Sequence, residues 1–191
     1  MEILEFKYIT TDDLSDGELF NDGSAWSRCY EYPMVIRHMK NLLPENSKIH
    51  NSSWGFQGIH ITFKEELDRM YENVIHSDIR RSNLEKTTLY NIKALPPAQW
   101  EENFDCVINI STLEEVGGSH CEIFDNLYLQ VKPGGYLICT FDYPGLQLEK
   151  IEKKLGKKIQ LNGTPIHGGN SIVENLRYTH LNCGLIVVRK K

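Results

Sequence analysis

The chain has 191 residues, of which 40% are hydrophobic and 25% charged, with a net charge of −5. That length holds one domain with a real core and too little for two comfortable ones. The acidic balance gives no electrostatic reason to expect nucleic acid or an anionic membrane as a partner.

The start, Met1-Glu2-Ile3-Leu4-Glu5-Phe6, has no basic region and no long apolar run, so no signal peptide or membrane span is expected and the expected location is cytoplasmic. Residues 1–29 read as a polar arm with turns around Asp12, Asp13, Asp16, Gly17, Asp22 and Gly23, either a lid over a cleft or a surface extension. The domain proper is expected over residues 30–191. Arg28-Cys29-Tyr30-Glu31-Tyr32-Pro33 leads into a helix with the stripe Val35, Ile36, Met39, Leu42 and Leu43, and Pro33 suits its first turn. Ser47–Ser53 is the expected first strand, followed by Trp54-Gly55-Phe56-Gln57-Gly58. Thr62-Phe63-Lys64-Glu65 has capping-box spacing, and Leu67 with Met70 or Tyr71 gives the helix behind it a buried side. Asn73-Val74-Ile75-His76-Ser77-Asp78 is a second strand ending in an acid. In a nucleoside-binding doubly wound sheet such an acid accepts both ribose hydroxyls; otherwise it caps the turn before Ile79-Arg80-Arg81. Thr87–Ile92 reads as a third strand, with Trp100 and Phe104 closing the edge beyond the Pro96-Pro97 turn.

Phe104-Asp105-Cys106-Val107-Ile108-Asn109-Ile110-Ser111 is a short apolar run suited to a strand buried on both faces. Ser119-His120-Cys121-Glu122 again has the capping-box spacing, and Ile123, Phe124, Leu127 and Val131 share a helical face. Pro133-Gly134-Gly135 is expected to stop that helix and turn the chain into a buried strand, Tyr136–Phe141. A strand, helix and strand of this length imply a parallel, right-handed crossover. Gly145–Leu155 reads as an amphipathic helix with a lysine-rich outer face and Gly156 at its end. Lys158–Leu161 is the expected sixth strand, 162–170 a long turn-rich loop, Ser171–Arg177 a helical turn, and Leu185–Arg189 a final antiparallel strand. The fold class is α/β, a doubly wound, mostly parallel seven-stranded sheet. The five scattered cysteines read as reduced, largely buried thiols. No phosphate-binding Gly-x-x-x-x-Gly-Lys loop, no Gly-x-Ser-x-Gly elbow and no clustered Cys/His spacing appears, so a triphosphatase, a hydrolase of that type and a metal site are not expected.

Three segments together carry a resemblance. Phe104-Asp105-Cys106-Val107-Ile108 at a strand start, Leu113-Glu114-Glu115-Val116 in the loop beyond, and Val131-Lys132-Pro133-Gly134-Gly135-Tyr136-Leu137 before the next strand resemble class I S-adenosylmethionine-dependent methyltransferases, over about residues 30–191. The resemblance implies S-adenosylmethionine as cofactor and a small-molecule or sugar-like acceptor. It implies cofactor contacts from Tyr32, in an aromatic-Glu-Tyr-Pro helix entry, from Asn51, Trp54 and Gly55 after the first strand, from Asp78 on the ribose, from Ile92 after the third strand and from Ser111 after the fourth. For Tyr30, Glu31 and Tyr32 the alternative is a hydrophobic staple with a helix-start acid. The sequence departs from the family where an acid and a Gly-x-Gly-x-Gly loop belong: it has Asn51, and only Gly55 and Gly58. If the acceptor is a hydroxyl, a base is needed, and the candidates are Glu114, Glu115 and His120; otherwise these are helix-start charges and an exposed first-turn residue. The rival reading is a catalytically silent module that binds a partner or another ligand. An open, adenosine-sized cleft facing Asp78 favours the enzyme, and a cleft filled by Trp54 or Phe56 favours the silent module. Expected partners are the small-molecule substrate and a second copy of the chain in a homodimer.

Overall fold

The computed structural model describes residues 1–10, 13, 28–55, 59–80, 87–143, 145–160 and 182–191. In chain order the elements are β1 (Glu2–Tyr8), α1 (Arg28–Leu42), β2 (Lys48–Ser52), α2 (Ile59–Met70), β3 (Asn73–Asp78), β4 (Thr87–Leu89), a short 3₁₀ turn (Ala98–Trp100), β5 (Phe104–Ile110), α3 (His120–Leu129), β6 (Val131–Tyr143), α4 (Leu148–Leu155) and β7 (Asn182–Arg189). The strands form one sheet in the order β1-β7-β6-β5-β2-β3-β4. The pairs β2–β3, β3–β4, β2–β5 and β5–β6 are parallel, and β7 runs antiparallel to both β6 and β1. Six strands therefore point one way and β7 alone points back, as the α/β, mostly parallel reading requires. From β2 the chain winds outward through β3 to β4, then returns to β5 on the other side of β2. The switch point lies between β2 and β5, where open α/β sheets place their ligands.

Burial explains the strands. The residues of β5 serve two cores: Cys106, Ile108 and Ile110 pack with Val35, Met39, Phe63 and Leu67 of α1 and α2. Phe104 and Val107 pack with Phe124 and Leu127 of α3 and Ile151 and Leu155 of α4. Both faces are covered, so the strand reads as an unbroken apolar run. Ser119 caps α3 as its spacing predicts, its Oγ accepting from Glu122 N at 3.4 Å. Cys106, Cys139 and Cys183 are buried and Cys121 half-buried, all four as free thiols.

Several elements differ from expectation. Residues 2–8, read as part of an arm, form the edge strand β1 and pair with β7. Of the expected sixth strand, Lys158–Leu161, the described residues make one parallel bridge, between Gln160 and Lys7, and Leu161 lies outside the described residues. The amino-terminal strand has taken the edge beside β7 that a sixth strand would occupy. Helix α1 begins at Arg28, so Pro33 lies inside it. Helix α2 begins at Ile59, which puts Thr62 within the helix and not at its cap. Strand β4 ends at Leu89, and α4 begins at Leu148. The Lys132–Gly135 segment does not end α3, which stops at Leu129. It forms an irregularity at the start of β6, where the pairing jumps from Phe104↔Val131 to Cys106↔Tyr136. Gly135 is required there because a Cβ would lie 2.7 Å from the main-chain oxygen of Asp105. The 162–170 loop, Ser171–Arg177 and most of the arm lie outside the described residues. Among the described residues, no helix is long and apolar enough to cross a membrane.

Candidate functional site

A cleft of about 290 Å³ opens at the carboxyl ends of β2 to β5. This is just below the usual range for small-molecule sites, about 300–1,000 Å³. Its lining comes from four strand ends: Asn51, Ser53, Trp54 and Gly55 after β2; Asp78, Ile79 and Arg80 after β3; Tyr90 to Lys93 after β4; and Ile110 to Thr112, Glu115 and Val116 around the end of β5. Arg28 and Tyr32 of α1 and His60 and Phe63 of α2 complete it.

Asp78 ties three of these strand ends together. Its Oδ2 accepts from Gly55 N at 3.3 Å and its Oδ1 from Arg80 N at 3.0 Å, with the Arg80 guanidinium 3.5 Å away. Its main-chain oxygen accepts from Tyr90 N at 2.9 Å. A carboxylate offers about four acceptor positions, so these bonds leave capacity for a diol. Gly55 is needed on two counts: its φ is +72°, and a Cβ would stand 2.8 Å from the His60 ring. Ser53 and Ser111, at φ 59° and 40°, hold the left-handed region without being glycine. Backbone strain of about 1–3 kcal/mol per residue is typical of such positions and clusters at binding sites.

Trp54 is buried in the wall and does not plug the cleft. Its ring stands edge-on to His76 with centroids 5.8 Å apart, and Lys64 Nζ lies 5.9 Å from the ring centre. Phe56 lies outside the described residues. Tyr32 stacks on Phe63 at 4.0 Å, and its hydroxyl is hydrogen-bonded to His60 Nδ1. Asn51 is buried beside His76, its Nδ2 3.0 Å from the ring Nδ1. Ile92 is buried, and its carbonyl and that of Lys93 both accept from Asn126 of α3, at 3.1 and 3.2 Å. Asn91 Oδ1 accepts from Lys93 N at 3.0 Å, closing the same turn. The Ser111 carbonyl accepts from Arg28 Nη2 at 3.2 Å, while its buried Oγ has no partner among the described residues. All seven expected cofactor residues thus border the cleft or form its wall.

The three expected bases do not gather there. Glu115 is exposed on the rim of the cleft. Glu114 turns away, and its Oε1 accepts from Asp142 N at 2.7 Å. Its Oε2 is buried with no partner among the described residues. Burial pushes this carboxyl up to about 8, with the Asp142 N–H opposing and the charges of Glu31 and Asp142 adding. His120, the third candidate base, with an exposed first-turn residue as its alternative, is buried. Its Nδ1 accepts from Gln147 N at 3.0 Å, joining α3 to the approach to α4, and burial lowers its pKa. The sequence reading missed His60 and Arg28. Arg28 pairs with Glu31 at 2.5 Å on the back wall, and the i, i+3 spacing of the two was the available signal.

No family model matches the chain, and no curated protein matches it. Among solved structures, the [4+2]-cyclase SpnF is similar over 98% of this chain and 88% of its own, at 12% identity and a TM-score of 0.54. The MccD protein is similar over 83% of this chain and 97% of its own, at 12% identity and 0.52. An S-adenosylmethionine-dependent methyltransferase from Mesorhizobium loti matches 56% of this chain at 16% identity and 0.41, and the chain spans 53% of that enzyme's length. At such identities the likeness is one of fold: a Rossmann-like α/β sheet that switches between β2 and β5, with β7 alone reversed.

Proposed function

We propose that the cleft binds S-adenosylmethionine and that the chain methylates a small-molecule or sugar-like acceptor. The observation that carries this reading is Asp78: a buried carboxylate at the end of β3, beside the switch point, facing an open cleft that Trp54 walls and does not fill. In this reading the ribose diol sits on Asp78, the base lies against Tyr90 and Ile92 beyond β4, and the sulfonium and amino-acid end lies toward the polar Asn51, Ser111 and Thr112 beyond β2 and β5. When bound, the cofactor supplies a methyl carbon made electrophilic by its sulfonium. The chain's contribution is alignment, with water excluded by the Trp54, Tyr32 and Phe63 wall. Glu115 on the rim is the group placed to take a proton from a hydroxyl acceptor.

One observation favours a second reading, ligand binding without methyl transfer. Glu114 and His120 are spent on main-chain hydrogen bonds away from the cleft, so that of the three expected bases Glu115 alone lines it.

Calorimetric titration of S-adenosylmethionine and S-adenosylhomocysteine tests the proposal, with Asp78→Ala as control. Binding that weakens at least about tenfold in the variant, the ordinary loss for hydrogen bonds to a charged group, supports it. Folded wild-type protein that binds neither compound refutes it. Binding without methyl transfer to any acceptor in a screen of hydroxyl and amine compounds turns the reading to the second.

A further inference from the structure

The wall of the cleft behind Asn51 contains a polar chain that runs out to α2. Asn51 stands opposite His76 in the β2–β3 ladder. Asn51 Nδ2 is 3.0 Å from His76 Nδ1, and His76 Nε2 is 3.2 Å from Asp68 Oδ1. Lys64 Nζ donates to Asp68 Oδ2 at 2.6 Å. His76 is wholly buried, Asn51 is 2% exposed, and Asp68 is half-buried.

The geometry gives each link a direction. An amide nitrogen only donates, so His76 Nδ1 accepts from Asn51 Nδ2. The ring hydrogen then sits on Nε2, facing Asp68 Oδ1. Asn51 spends its NH₂ on that Nδ1 lone pair. Its carboxamide oxygen is thereby committed to no protein donor among the described residues, on a side chain that lines the cleft.

We propose that Asp68 and His76 are positioning residues that hold the Asn51 carboxamide with its oxygen available to the cleft, as acceptor for the ammonium group at the amino-acid end of S-adenosylmethionine. This rests on the reading of the cleft given above. Asp68 and His76 touch no ligand; they remove the freedom of the amide to flip, so that the cleft meets an acceptor and not a donor.

The first measurement needs no ligand. Nitrogen-15 NMR of the histidine rings is expected to show His76 as the Nε2–H tautomer, and the Nδ1–H tautomer overturns the proposal. The second compares two nucleosides by calorimetry: S-adenosylhomocysteine, which has the amino-acid end, and 5′-methylthioadenosine, which lacks it. In Asp68→Leu and His76→Phe the first should weaken about tenfold and the second by less than about twofold, since one hydrogen bond to a charged group is lost and the adenosine contacts are kept. Asp68→Asn retains an oxygen for the Nε2–H and should bind S-adenosylhomocysteine within about threefold of wild type. Equal weakening of both nucleosides, or no weakening of S-adenosylhomocysteine, overturns the proposal while leaving the cofactor reading intact. Wild-type protein that binds neither nucleoside overturns that reading and the role of Asn51 with it.

Discussion

Lowering the pH should destabilise this protein through His50. The residue follows Ile49 in β2 and points to the opposite face from Asn51, into an aromatic cage. Its ring centroid lies 4.6 Å from that of Trp100, 5.1 Å from Phe104 and 6.1 Å from Tyr90. Nε2 lies 2.7 Å from Ser77 Oγ, and Nδ1 is buried with no partner among the described residues. Burial lowers the His50 pKa from 6.5 to about 3, the Gln130 amide opposing and His76 adding. Between those values the unfolded chain binds a proton that the native ring refuses. Stability from this source is therefore complete above about pH 6.5 and falls as the pH drops toward 3. At about 1.36 kcal/mol per pKa unit, the full loss is roughly 5 kcal/mol, comparable to the whole stability of many domains. The matching perturbation is His50→Phe, which fills the cage with an apolar ring that cannot titrate. At neutral pH the variant removes the unsatisfied Nδ1 but leaves the buried Ser77 Oγ without this partner, a cost of about 1–3 kcal/mol, so the comparison rests on the pH dependence and not on the neutral-pH stability. Urea unfolding from about pH 7 to about pH 4.5 should show wild type losing roughly 2–3 kcal/mol more than the variant. Parallel losses in the two proteins, or an NMR titration of His50 near its ordinary value, would refute the reasoning.

Other consequences can be checked with the same unfolding assay. Glu114→Gln mimics the protonated acid. The wild-type carboxyl, raised from 4.5 to about 8 by burial, makes stability fall as the pH rises between those values, so the variant should match wild type near pH 5 and exceed it by roughly 3 kcal/mol near pH 7. Gly184→Ala should destabilise by about 1–3 kcal/mol, because its Cβ would lie 2.1 Å from the Phe141 ring, and Phe141→Leu in the same chain should recover part of the loss. Asn51→Asp should be more destabilising alone than when combined with His76→Leu, and equal costs in the two backgrounds would contradict the proton assignment along that chain.

The parts legible in the sequence are those whose signal is local. Val107, Ile108 and Ile110 announce β5 because the strand is buried on both faces, and Asp78 announces itself as an acid closing a strand. β1 is hidden because its pattern is broken. The register shifts between Ile3 and Glu5, Leu4 is left 37% exposed, and the charged Glu2, Glu5 and Lys7 interrupt the apolar Ile3 and the buried Phe6. That Lys158–Gln160 makes only a bridge to β1 follows from the same fact, since the place beside β7 is filled by β1 from far away in the chain. Glu114 and Glu115 differ in fate for a reason no spacing records. After β5 the loop buries Leu113, so Glu114 swings back to the Asp142 main chain and only Glu115 is left on the cleft.

The departure at residue 51 follows from the ladder. An acid at the end of β2 would aim a carboxylate at the Nδ1 lone pair of His76, and two acceptors meeting without a proton in a buried wall repel. Such a pair would have to protonate the imidazole, and a second charged group would then sit behind the cleft beside Asp68 and Lys64. An amide meets the lone pair with a donor at no cost in charge, and the oxygen it turns the other way still serves the cleft as an acceptor. The two positions are 25 residues apart in the chain and adjacent in the sheet, so each restricts the other while appearing unremarkable alone. The asparagine that stands where the resemblance implies an acid is thus the residue type that the neighbouring strand allows, and its free oxygen is what the proposed role of Asn51 requires.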